Sequence, residues 1–305
     1  MTSSTFSRRT ALSGAALGLL GAGGAPLLAD SHGKLGKLDL EDPVARARVR
    51  ARMQGSTKPA TLHGLAQLHI YGYLNDGNVQ PFMTMYNYTV TKWKPVSETQ
   101  FEMQHYESGI YTEFGTDKVI YDVWKNPVTG EEREIWPFIG GPIPGLLGPD
   151  GMETGEGATV KPMSLGIHVF GDHVHIPSRS SFRFPNPLTP EEWPKESAGP
   201  MYYWDSFATR SARLEDVLNE DLDNVPSVQH FQNLVSWHPW LGLGGYDGRT
   251  YGQAYGNKLS GGFEALPEFL QTAVRKQAPE MLDTDNWTEF RNDFADYMNA
   301  YSQGS

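Results

Sequence analysis

The 305 residues include no cysteine. That excludes disulfides, a thiolate nucleophile, iron–sulfur clusters and cysteine-ligated zinc. Stability must come from a packed core, which a chain of this length can build. Positive charge is also scarce. Lys and Arg number 25 against 36 Asp and Glu, a net of −11. No basic cluster offers phosphates a cationic face, so neither nucleic acid nor an anionic membrane surface is an expected partner. Past the first 29 residues, no apolar run approaches the ~20 residues of a membrane helix, so no stable membrane insertion is expected. Several catalytic signatures are missing too. There is no Gly-x-Ser-x-Gly elbow. Gly140-Gly141-Pro142 and Gly242-Leu243-Gly244-Gly245 lack the lysine and the strand-to-helix context of a phosphate loop. The βαβ alternation of a dinucleotide fold is absent, as is any internal repeat.

What is present begins with an export segment. Residues 1–29 carry Ser7-Arg8-Arg9-Thr10, then a Gly- and Ala-rich apolar stretch from Ala11 to about Ala25, then Pro26-Leu27-Leu28-Ala29 before Asp30. This is the layout of a twin-arginine signal. The glycines keep the stretch too weakly hydrophobic for a membrane anchor. The expected location is therefore periplasmic or secreted, with the twin-arginine translocase as a partner during export.

Residues 30–60 read as a linker and a short helix, capped near Asp42 with Pro43 in its first turn. Residues 61–305 read as a single β-rich domain. Aromatic residues make up 12 % of the chain, with 33 Gly and 21 Pro, a composition of strands and turns. Runs rich in Tyr, Trp, Val and Thr predict strands over 82–93, 99–106, 110–114, 119–124 and 133–138, with Ser108-Gly109 among the turns. Residues 140–161 predict a long Gly- and Pro-rich loop. Further strands are expected over 164–176, 180–184, 201–209 and 228–240, with a short helix over 212–218. Apolar spacing predicts C-terminal helices over 263–282 and 286–301. The fold class is mainly β (α+β): an antiparallel curved sheet or barrel with peripheral C-terminal helices.

Three constellations could carry chemistry. On a strand, His105 and Glu107 share one face, the geometry of an imidazole oriented by a carboxylate, while Glu102 is an alternative orienter. His173 and His175 likewise share a face and form a second cluster, for acid–base chemistry through His173 with Asp172 beside it or for chelating a metal. A third ligand would have to come from elsewhere, and the Glu that cupins place after such a pair is replaced by Arg179 and Ser180. No cofactor is expected; a divalent metal is the alternative. Finally, Tyr88, Trp136, Tyr203, Trp237 and Trp240 are expected to wall a pocket for an apolar or aromatic guest. Ordinary cross-strand packing is the competing explanation of so many rings.

Trp124-Lys125-Asn126-Pro127-Val128-Thr129-Gly130-Glu131, Asn186-Pro187-Leu188 running to Trp193-Pro194, and Ser236-Trp237-His238-Pro239-Trp240-Leu241 with Gly244 and Gly248 form a recognisable set. Over about residues 40–285 the chain resembles the bacterial and fungal family catalogued as domain of unknown function 1838. The resemblance implies domain extent and no mechanism. From the residues alone, the expectation is an exported enzyme acting by acid–base chemistry (lyase, isomerase, hydratase or hydrolase) on a small apolar or aromatic molecule. The alternatives are a lipocalin-like carrier of a hydrophobic ligand and a His-ligated metalloenzyme. Convergence of the polar groups inside a pocket favours the enzyme; a wholly apolar pocket favours the carrier.

Overall fold

The computed structural model describes residues 38–153, 163–287 and 291–303. Residues 1–29, expected to be an export signal, lie outside them.

The described chain enters through α1 (Pro43–Gln54). The Asp42 carboxylate accepts from the Val44 and Ala45 amides at 3.0 and 3.3 Å, and Pro43 fills a first-turn position that needs no donor. This helix is built into the core. Ala47 and Ala51 cluster with Trp93, Phe101 and Leu147, while Val49 and Met53 cluster with Val174, Ile176 and Ala212. A Cβ on Gly55, just past the helix, would lie 2.0 Å from the Trp93 indole, so only glycine permits that approach.

Then β1 (Ala60–Leu74), β2 (Val79–Pro95) and β3 (Phe101–Glu113) form a meander, and β4 (Val123–Lys125) and β5 (Glu132–Glu134) a separate hairpin. β6 (Phe138–Gly148) returns to pair with β3, and β7 (Gly151–Glu153) pairs with β6. β8 (Met163–Ser164) and β9 (His168–Phe170) both pair with β10 (His173–Pro185). β11 (Met201–Arg213), α2 (Leu214–Leu218), β12 (Val228–Val235) and β13 (Gly248–Leu259) follow, then α3 (Glu268–Gln277), β14 (Arg291–Asn292) and α4 (Asp293–Ser302). The spatial order is β14-β6-β3-β2-β1-β13-β12-β11-β10-β8, antiparallel throughout, and the sheet is a nearly closed barrel. α1 spans the seam. Arg50 donates to the Pro149 carbonyl beyond β6 at 2.8 Å and to the Ser164 hydroxyl of β8 at 2.7 Å.

Period-two alternation gives each strand an inner and an outer side. Gly64, Ala66 and Leu68 of β1, Asn87, Thr89 and Thr91 of β2, and His105 and Glu107 of β3 face the interior. The outer side of the same strands is not left to solvent. Tyr88, Val90, Tyr106 and Ile110 are buried under Leu270, Ala273 and Val274, the apolar stripe of α3. A second cluster, with Phe82, Tyr111, Trp124, Trp136, Trp237, Trp240, Leu241 and Met298, is the largest of the core.

Several expectations change. The described part of 140–161 is not a long loop: 138–148 form β6 and 151–153 form β7, because β3 offers a free edge whose hydrogen bonds outweigh the turn-forming composition, while 154–161 lie outside the described residues. Ser108-Gly109 makes no turn but lies within β3. A Cβ at Gly109 would sit 2.6 Å from the Met85 sulfur, so the glycine serves close packing rather than reversal. The C-terminal helices cover less than expected: short 3₁₀ turns follow α3 over 279–286, and β14 immediately precedes α4. β13 carried no assignment, its Gly-rich sequence masking the alternation. Among the described residues, no helix is long and apolar enough to cross a membrane.

Candidate functional site

The barrel encloses a cavity of about 1030 Å³, at the top of the range of small-molecule sites. Its apolar wall includes Leu68, Met85, Phe138, Phe182, Trp204 and Phe231. Phe138 of β6 stacks on Trp204 of β11 with ring centres 6.4 Å apart.

His105 and Glu107 stand on this wall. His105 Nε2 lies 3.7 Å from Glu107 Oε2, and Asn87 Nδ2 donates to the same oxygen at 3.0 Å. Glu107 is 23 % exposed, and since protein encloses it that exposure is to the cavity. Burial pushes its carboxyl up, but His105 and the Asn87 donor outweigh burial and hold it below the usual carboxylate range. A bulge lies opposite the pair. His105 and Glu107 face Ile143 and Gly140, so β6 carries an extra residue there. Gly141 has φ +136°, and a Cβ on it would come within 2.8 Å of the His105 carbonyl. Asn292 of β14, opposite Gly140, adds a polar group to the wall. Among the described residues, four of the seven buried side-chain polar atoms without a partner belong to the cavity wall: Asn87 Oδ1, Trp93 Nε1, Asn233 Oδ1 and Thr250 Oγ1. Such groups call for water or a polar guest.

His238, not singled out as a site residue, also reaches the wall. The Tyr202 hydroxyl and His238 Nδ1 are 2.9 Å apart, and the imidazole stacks on Trp240 at 6.0 Å, tilted by 6°. Burial pushes its pKa down to about 4. The folded value lies below the ~6.5 of an unfolded chain. Stability from keeping this ring neutral is therefore complete above pH ~6.5 and lost as pH falls toward 4, about 3 kcal/mol in all. Urea titrations of His238→Gln should lose that part of the acid dependence; an unchanged slope between pH 6.5 and 4 would count against it.

The structure separates other expected residues from the cavity. Glu102 points outward and is exposed, because it lies one residue out of phase with His105. His173 bonds to Asp172 at 2.8 Å and His175 to the Ser211 hydroxyl at 2.8 Å. Their rings stack 6.1 Å apart at the start of β10, between β9 and β11, with Asp172 exposed. Among the described residues no group of three or more His, Asp or Glu could hold a metal. Tyr88 lies outside the wall, buried under α3 and 2.6 Å from His63 Nδ1. Tyr203 is on the outer surface between Arg183 and Arg249. Trp136, Trp237 and Trp240 belong to the large core cluster. The rings lining the cavity are instead Trp93, Tyr111, Tyr202 and Trp204, with the phenylalanines above. The inward set of β11 was recoverable by counting twos from Tyr202.

A family model described as "Protein of unknown function (DUF1838)" matches residues 66–299, more than two thirds of the chain. The chain belongs to this family. The match runs from the middle of β1 into α4, so the DUF1838 segment includes the whole cavity wall except the start of β1 and α1. No curated protein matches the chain. Among solved structures, the outer membrane enzyme PagL aligns over 66 % of this chain and 99 % of its own, at 9 % identity and a TM-score of 0.25. A likeness that slight says nothing about the site of this DUF1838 barrel.

Proposed function

We propose that the chain is an exported enzyme that takes a small, largely apolar or aromatic molecule into the barrel and moves a proton on it with His105. One observation carries this reading: His105, Glu107 and Asn87 converge on the inner wall of a ring-lined cavity. Asn87 anchors the Glu107 carboxylate. The ionised carboxylate orients the imidazole and offsets the charge that His105 gains on accepting a proton. Apolar walls exclude competing water and hold the guest against the dyad. The twin-arginine motif supports the export half of the proposal, with the translocase as a transient partner. Lyase, isomerase, hydratase and hydrolase chemistry all use such a group.

The test is a conversion screen of small aromatic and terpenoid compounds by mass spectrometry. For any compound converted, His105→Gln and Glu107→Gln should lower turnover by about 10²–10⁴-fold. Full turnover by both folded variants would remove the dyad from the mechanism. Tight binding without conversion of any compound would favour a carrier.

A further inference from the structure

Two basic side chains stand inside the barrel near the C-terminal end of α1. Arg210 of β11 donates to Gln229 Oε1 and, at 3.4 Å, to the Ser227 hydroxyl. Lys258 of β13 donates to the Arg52 carbonyl at 2.9 Å and to Asn224 Oδ1. Ser227 in turn donates to the Met53 carbonyl of α1. Both cationic side chains line the cavity, and every one of these partners is neutral. Among the described residues neither cation has a carboxylate partner. The nearby Asp223 and Glu220 act on Arg52, whose guanidinium is directed to the carbonyls of Val217, Leu222 and Asn219. Burial lowers the Arg210 pKa to about 10; burial, then the charge of Arg210, lowers that of Lys258 to about 6.

Two buried basic groups side by side without a counter-charge are costly to hold protonated, and packing alone would be served better by apolar side chains. A guest that brings the missing anion removes that cost. We propose that Arg210 and Lys258 form an oxyanion-binding subsite, which holds the carboxylate or phosphate head of an amphipathic guest whose apolar body lies along Phe182, Trp204 and Phe231. This rests on the cavity being a guest site, and it names the substrate class: an aromatic or aliphatic acid, or a phosphate ester. The guanidinium fork suits such a head. The register also suits it. Lys258, Gly64, Thr89 and Glu107 are successive partners across β13, β1, β2 and β3. Three strand spacings, roughly 14 Å round the wall, separate the cations from Glu107. The anionic head is thus kept away from the carboxylate while atoms farther along the guest reach His105.

The charged group acting on Lys258 is Arg210 of β11, while Arg52 of α1 meets it only through its neutral main-chain carbonyl. An anion beside Lys258 draws a proton onto its amine, so binding near pH 7.5 takes up close to one proton. The experiment is calorimetry on the full chain with 2-naphthoate, 2-naphthyl phosphate and the neutral 2-naphthamide, in two buffers of different ionisation enthalpy. The wild type should bind at least one anion about tenfold or more tighter than the amide, with proton uptake. The tighter anion identifies the head. Lys258→Met and Arg210→Gln should abolish the preference while binding the amide unchanged, and Lys258→Met should abolish proton uptake. Lys258→Met replaces a buried amine with an apolar side chain of nearly the same shape, so it keeps the test readable if Arg210→Gln does not fold. Equal binding of anions and amide, or a preference that survives Lys258→Met, overturns the subsite and leaves the cavity reading standing. Binding of none of the three overturns both.

Discussion

Replacing Lys258 with Met should stabilise the protein at pH 7 by roughly 2–3 kcal/mol, and the gain should disappear as pH approaches 10. Met has nearly the shape of the lysine stem and needs no solvation. In the wild type the folded amine titrates at about 6, the unfolded one near ~10.4. Between these values the unfolded chain holds a proton that the folded chain has given up. Wild-type stability therefore rises with pH across that window and is flat below it. The whole span corresponds to about 6 kcal/mol at ~1.36 kcal/mol per pH unit. Local relaxation and the loss of the bonds to Arg52 and Asn224 reduce the expected gain. Urea unfolding from pH 6 to 10 gives the answer. The wild-type midpoint should climb with pH and the variant's should not; parallel curves would show that Lys258 is charged in the folded protein.

Trp240→Ala should cost about 3–5 kcal/mol, whereas Trp204→Ala should cost less than about 2 and abolish guest binding. The two indoles are 36 residues apart, in Tyr-Trp-Asp and Pro-Trp-Leu, and their surroundings differ. Trp240 is 4 % exposed, with its ring against Tyr111 at 5.7 Å, Trp124 at 6.0 Å and His238 at 6.0 Å. Removing it opens a void among aromatic rings that cannot collapse into it. Trp204 has one side on the existing cavity. Its loss widens that space and removes a stacking partner for a ring-bearing guest. Paired unfolding curves and naphthoate titrations of both variants test the assignment. The reverse order, with Trp204→Ala the more destabilising, would mean that Trp240 is wall and Trp204 is core.

These contrasts mark how far the residues could be read in one dimension. The α1 cap was legible because Asp42 and Pro43 act within one turn. The pairing of His105 with Glu107 was legible because a strand fixes which residues share a side. The identity of the pocket walls was not. Alternation divides β2 into the Asn87 side and the Tyr88 side without saying which is interior. Ring mass pointed to Tyr88, and that side is buried, but by α3. A sheet covered on its outer side has two apolar faces, so hydrophobicity cannot orient it. The same ambiguity put Tyr203 on the wall in place of Tyr202 and Trp204. Arg210 and Lys258 gave no signal, since a single cation in a strand looks like an ordinary solvated group.

Local chemistry in the chain thus determined an antiparallel β domain with C-terminal helices, the first helix cap and the shared face of His105 and Glu107, because each depends on neighbours a few residues apart. Closure of the sheet decided the rest. Only when β6 and β10 approach across α1 does one side of every strand become an interior, and only then do Asn87, Glu107, Arg210 and Lys258, from four different strands, face one enclosed space. Long-range register carries that information, and no short window of sequence contains it.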